Sequence, residues 1–66
     1  MNAAHYTPLY LEAPDVVLDY YYEHLRDARV AEAVGDWRQA ERCRERAQNV
    51  IAHARSTPEE LLEMVS

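Results

Sequence analysis

The pair Gly35-Asp36 constrains the fold most strongly, because it separates two long segments in which no residue breaks a helix. Gly35 suits the left-handed conformation that ends a helix. Asp36 is a preferred N-cap for the next helix, and Gln39 three residues later completes a capping-box pattern. Helices joined by so short a connection must be antiparallel neighbours. The sequence therefore predicts a helical hairpin with helices over 14–34 and 36–55.

A proline marks the start of the first helix. Pro14 suits a first helical position, and Asp15 directly after it favours a helix N-terminus. Residues 1–13 precede this boundary and are predicted to form an extended N-terminal arm. The arm carries apolar and aromatic residues, namely Tyr6, Leu9, Tyr10 and Leu11.

A second cap follows the hairpin. Thr57, Pro58 and Glu60 supply an N-cap, a first-turn proline and a capping-box glutamate. This pattern predicts a short third helix over 58–65. The whole chain, residues 1–66, is thus predicted to be one small all-α domain: an antiparallel helical hairpin with a short third helix and an extended arm.

The two long helices are predicted to meet along a seam that, near the turn, consists mostly of alanine. The residues at three- and four-residue spacing in the second helix are Ala40, Cys43, Ala47, Val50 and Ala54. In the first helix they are Val17, Leu18, Tyr21, Leu25, Ala28 and Ala31. Alanines bury little area, and burial contributes only about 25 cal/mol per Å2. We therefore expect Leu61, Leu62 and Val65 of the third helix to add to this core or to a partner's core.

The size of the chain predicts self-association. A core in a chain of 66 residues rarely supplies more than about 3–5 kcal/mol without a staple. Cys43 is the only cysteine, so no intrachain disulfide can form, as is usual in a reducing compartment. We expect a homodimer in which two hairpins pair in antiparallel fashion into a four-helix arrangement that buries tyrosines.

Several residues around the turn follow a known pattern; they are Gly35, Asp36, Trp37, Ala28, Ala40 and Ala47. They resemble the turn and second helix of a tetratricopeptide repeat, which has a glycine, an acidic residue and an aromatic residue in the turn and alanines at fixed offsets. His24, Asp27 and Arg44 depart from the pattern, since the family has aromatic or apolar residues there. The match covers about half of one repeat. The resemblance implies a tight hairpin and, by analogy of fold, protein binding.

Catalytic and metal-binding patterns are missing from the sequence. Cys43 and His53 lie on the same helix, roughly 15 Å apart by helical rise, which is too far for a nucleophile and its base. The spacing of His5, His24, His53 and Cys43 would not bring two metal ligands to one helix face. The sequence predicts no catalytic residue, no metal site and no cofactor, and so a protein that is not an enzyme.

Charged residues form two rows in a chain of net charge −5 that contains no lysine. The acidic row of the first helix is Asp19, Glu23 and Asp27, and the arginine row of the second helix is Arg38, Arg42 and Arg46. Partners three residues away should offset the repulsion within each row; these pairs are Glu23 with Arg26, Arg38 with Glu41, and Arg42 with Glu45. Each row is either a solvated face or a docking edge for opposite charge on a partner or a second copy. The arginine row could also meet phosphates, although the overall acidity disfavours a nucleic-acid backbone.

Aromatic residues are the best indication of a binding surface. Tyr20, Tyr21 and Tyr22 spread over about 200° of a helix, so they cannot all face one small core. Tyr21 is predicted to face inward, and the other two are expected at the surface or under a partner. Tyrosine, tryptophan and arginine are enriched at binding hot spots. The predicted partner interface is Tyr10, Tyr20, Tyr22, Trp37, Arg38, Arg42 and Arg46.

These features predict a small non-enzymatic protein-binding module, an adaptor or inhibitor of a larger protein. Short chains of this kind are common among accessory proteins of phages and mobile elements. Residues 1–5 lack a signal-peptide pattern, and no apolar run reaches the roughly 18–20 residues of a membrane span, so we expect a cytoplasmic protein. The alternatives are a nucleic-acid-associated regulator that uses the arginine row, or a structural subunit of a larger assembly.

Overall fold

The computed structural model describes residues 7–66. Its elements are a 3-10 helix over Leu9–Leu11, α1 over Pro14–Ala33, α2 over Trp37–Ala54 and α3 over Pro58–Val65. These residues contain no strand. The all-α fold built on a helical hairpin is therefore confirmed, with helix ends within one residue of the predicted ones.

The turn between α1 and α2 is a Schellman motif. Gly35 has φ +79°, and its N–H donates to the carbonyl of Glu32 at 3.0 Å. The N–H of Asp36 donates to the carbonyl of Ala31 at 2.8 Å, so the last carbonyls of α1 are satisfied. The Asp36 carboxylate then accepts from the Gln39 N–H at 3.1 Å and caps α2. The Gln39 side chain does not complete the predicted capping box, because its Nε2 lies 3.7 Å from Cys43 Sγ.

At the other end of the hairpin, two local signals turn the chain into α3. Arg55 caps α2 in the left-handed conformation, with φ 61°. The predicted capping box of α3 is complete: the Glu60 carboxylate accepts from the Thr57 N–H at 2.8 Å, and the Thr57 hydroxyl accepts from the Glu60 N–H at 3.1 Å. Pro58 occupies the first helical turn. The third helix then packs against α1.

The larger core residues lie at the end of the hairpin that is distant from the turn. This cluster contains Val17, Leu18, Val50, Ala54 and Leu61, with Leu9, Tyr21 and Ile51 packed against it. Nearer the turn, the buried seam consists of small side chains, namely Ala28, Ala31, Ala40, Cys43 and Ala47. The predicted alanine-rich seam is confirmed. In α3, however, only Leu61 is buried, while Leu62 and Val65 are each 45% exposed.

The segment before α1 is more ordered than the predicted extended arm. The N–H of Leu11 donates to the carbonyl of Pro8 at 2.9 Å, which closes a 3-10 turn. Leu9 packs on the core, and the 3-10 helix lies against α2. The rest of the arm, residues 1–6 with His5 and Tyr6, lies outside the described residues.

Candidate protein interface

Three exposed apolar side chains surround the turn of the hairpin. Val30, Val34 and Trp37 are 60%, 77% and 65% exposed. Single exposed apolar residues are ordinary, but these three lie within residues 30–37 at one end of the molecule. We call them the tip patch. Several exposed apolar side chains in one region of a surface are a common mark of an interaction site.

The fold explains why Trp37 is exposed. It precedes the seam residue Ala40 by three positions and shares its side of the helix. However, Trp37 is the first residue of α2, directly after the turn, where α1 has already ended at Ala33. Because helical side chains lean toward the helix N-terminus, the indole is directed toward the turn and stays exposed.

The arginine row and the acidic row are exposed along their whole length. Within residues 7–66 the ion pair that forms is Arg44 with Glu32, which joins α2 to α1 across one edge of the seam. The pairs predicted within helices, Glu23 with Arg26, Arg38 with Glu41 and Arg42 with Glu45, do not form. Within the described residues, the side chains of both rows thus face solvent without forming an ion pair.

The tyrosines of α1 do not form one surface. Tyr20 and Tyr22 are 44% and 46% exposed, but residues two apart point about 160° away from each other. Tyr21 packs on the core as predicted, with its ring centroid 5.3 Å from that of Tyr22. Tyr22 lines a shallow depression on α1 together with Asp19, Glu23 and Arg26. Tyr20 and Tyr22 therefore belong to opposite edges of the hairpin.

Tyr10 already has a partner within the chain. The guanidinium carbon of Arg55 lies 4.2 Å from the centroid of its ring. The seven residues predicted as one interface are thus distributed over separate regions: the turn, the outer side of α2, the two edges of α1, and the contact with Arg55. Val30 and Val34 were not among the seven predicted residues, because their spacing places them off the seam. Only the structure shows that both are exposed near the turn.

Among residues 7–66, the reactive side chains are not grouped. Cys43 is 2% exposed in the seam, and His53 is directed elsewhere, with Nδ1 2.7 Å from the carbonyl oxygen of Asn49. Within the described part of the chain, no three His, Cys, Asp or Glu side chains lie close enough to hold one metal ion. A groove between α1 and α2 is lined by Leu25, Ala28, Arg29, Glu32 and Arg44.

Comparison with protein-family models, with curated proteins and with solved structures finds no significant match. The resemblance to a tetratricopeptide hairpin therefore depends on the turn and seam residues alone. Among residues 7–66, none of the helices has the length and apolar character of a membrane span.

Proposed function

We propose that this chain is a small non-enzymatic protein-binding module, an adaptor or inhibitor of a larger cytoplasmic protein, and that it binds through the tip patch. The exposed indole of Trp37 next to the turn, at the end of the hairpin that also exposes Val30 and Val34, is the observation that supports this proposal. A tryptophan can bury on the order of 150–250 Å2, and tryptophan is among the residues most enriched at binding hot spots.

The backbone around the patch is well suited to binding. Gly35 and Asp36 fix the turn through two backbone hydrogen bonds, and the Asp36 side chain caps α2. A surface that is already ordered loses less conformational entropy when it binds a partner. Arg38 follows Trp37 directly and supplies a charged group at the edge of the patch. The resemblance to a tetratricopeptide hairpin supports the same class of function by analogy of fold.

The proposal is tested by capture from nuclease-treated lysate of the source cells, with Trp37→Ala and Leu11→Ala as matched variants. Leu11 is 67% exposed and lies before α1, far along the chain from the turn. We expect one protein to be retained near stoichiometry by the wild type and by Leu11→Ala. The amount of this protein retained by Trp37→Ala should fall by about tenfold or more, as expected for a hot-spot residue.

Circular dichroism of each variant shows whether the helices are intact. Equal retention by Trp37→Ala and the wild type would refute the tip patch as the binding site. Retention that disappears on nuclease treatment would favour a nucleic-acid partner instead, and its strength should then fall steeply with salt.

A further inference from the structure

The Asp27 end of the acidic row and the Arg46 end of the arginine row border the same face of the hairpin. Asp27 directly precedes the seam residue Ala28, and Arg46 directly precedes the seam residue Ala47. Each charged side chain is therefore displaced by about 100° from the seam in the same rotational sense. In antiparallel helices, the same sense of rotation leads to the same face.

The ion pair across the seam identifies the opposite face. Glu32 lies about 40° from Ala28 in the other rotational sense, and Arg44 lies about 60° from Ala47 in that same sense. These two side chains pair with each other, so they border one face together. Asp27 and Arg46 consequently border the other, which we call the charged face.

The two rows are also level along the hairpin. Asp27 and Arg42 stand at nearly equal numbers of residues from Gly35, on opposite sides of the turn, and so do Glu23 and Arg46. Each pair is level to within about 2 Å along the helix axes. Within one chain the seam separates them, and neither pair forms an ion pair.

A second copy of the chain can bring these charges together. A rotation of 180° about an axis parallel to the helices generates the second copy. It exchanges the positions of α1 and α2, and the turns of both hairpins point in the same direction. When two charged faces meet in this way, α1 of each copy lies on α2 of the other and runs antiparallel to it. Asp27 then meets Arg42 of the partner subunit, and Glu23 meets Arg46 of the partner subunit. The symmetry repeats both pairs.

We propose that two copies of this chain associate through their charged faces, with Asp27 and Glu23 of each copy against Arg42 and Arg46 of the other. The charge complementarity of the two rows identifies the occupant as a second copy. The arrangement makes all neighbouring helices antiparallel and places both tip patches at the same end of the dimer. It also adds packing to a chain whose small, alanine-rich core stabilises the fold only weakly.

Sedimentation equilibrium of the full chain tests the proposal, first as a function of salt. Raising the salt from about 50 mM to about 500 mM should weaken the dimer by about tenfold or more, because exposed charges are screened. A wild-type chain that is monomeric at high micromolar concentration in low salt would overturn the proposal. A dimer that salt does not weaken would also overturn it, because association would then use another surface.

Charge reversal gives the sharper test. Asp27→Arg alone places arginine against arginine, and Arg42→Asp alone places carboxylate against carboxylate, so each variant should be monomeric. An equimolar mixture of the two variants restores opposite charges at every reversed contact and should dimerise as well as the wild type. Arg29→Asp is the control for charge, because Arg29 directly follows Ala28 and borders the opposite face; it should still dimerise.

Single variants that dimerise as the wild type does, or a mixture that stays monomeric, would overturn the proposal. Circular dichroism of each variant separates lost association from lost folding. The outcome does not depend on the partner of the tip patch.

Discussion

The guanidinium group of Arg55 lies over the ring of Tyr10, with its carbon 4.2 Å from the ring centroid. This contact joins the 3-10 helix to the residue that ends α2. Arg55 adopts the left-handed conformation, which costs a residue with a side chain about 1–2 kcal/mol. A cation–π contact at an exposed site offsets about 0.5–1 kcal/mol of this conformational cost. The strained cap and the 3-10 helix are therefore energetically linked.

This link predicts non-additive effects of two substitutions. Tyr10→Ala should lower the free energy of unfolding by about 0.5–1 kcal/mol. Arg55→Gly should change it little, because relief of the backbone strain offsets the lost contact. In the Tyr10→Ala background the contact is already gone, so Arg55→Gly should stabilise the protein by about 1 kcal/mol. Urea denaturation of the four proteins measures the coupling energy, and strict additivity would contradict the predicted link.

Gly35 predicts a purely conformational cost. Its φ is +79°, and a Cβ built there meets nothing within 4 Å. Gly35→Ala should therefore lower the free energy of unfolding by about 1–2 kcal/mol through backbone strain alone. Gly35→Asn should cost less, because asparagine tolerates the left-handed region. Thermal and urea unfolding would distinguish the two variants, and equal losses would contradict backbone strain as the cause.

The seam predicts a strong dependence on side-chain size. Ala47 is 0% exposed, so Ala47→Leu must force the two helices apart and should cost about 1–3 kcal/mol. Ala52 is exposed on the same helix, and Ala52→Leu should change stability by no more than about 0.5 kcal/mol. The two variants add the same atoms to α2, which makes them a matched pair in urea denaturation. Similar stabilities would show that the seam is loosely packed.

The sequence predicted the helices and the turn well because their signals are local. The capping signals are Gly35, Asp36 and Thr57. Each acts on backbone groups within a few residues, so its effect can be predicted from the residues next to it in the sequence. The seam was equally predictable from the sequence, since burial of Ala40 and Ala47 follows from helical periodicity.

The contacts between distant residues could not be predicted in the same way. Tyr10 with Arg55 and Glu32 with Arg44 join segments whose relative position depends on the whole fold. Predicted pairs such as Glu23 with Arg26 failed because exposed ion pairs gain little energy and do not fix their side chains. Val30 and Val34 of the tip patch were missed for a third reason. Single exposed apolar residues are ordinary, and only the observed exposure of both near the turn distinguishes them.

Tyr20 and Tyr22 should respond differently to dimerisation if the charged faces meet. The two rings are almost equally exposed in the single chain, at 44% and 46%. Tyr20 precedes Asp27 by seven residues, two helical turns, and so lies on the same side of α1 as that charge. Tyr22 points about 160° away from Tyr20 and borders the opposite face. Association should therefore cover Tyr20 and leave Tyr22 in water.

Alanine substitution of each tyrosine measures this difference. Tyr20→Ala should raise the dimer dissociation constant by about tenfold or more, because the ring buries a large apolar area at the interface. Tyr22→Ala should leave the constant unchanged within about twofold, because exposed surface residues away from an interface contribute little. Sedimentation equilibrium at low salt gives both values, and circular dichroism verifies that α1 is intact. Equal effects of the two substitutions would contradict association through the charged faces, and a larger effect of Tyr22→Ala would place the dimer contact on the other face of the hairpin.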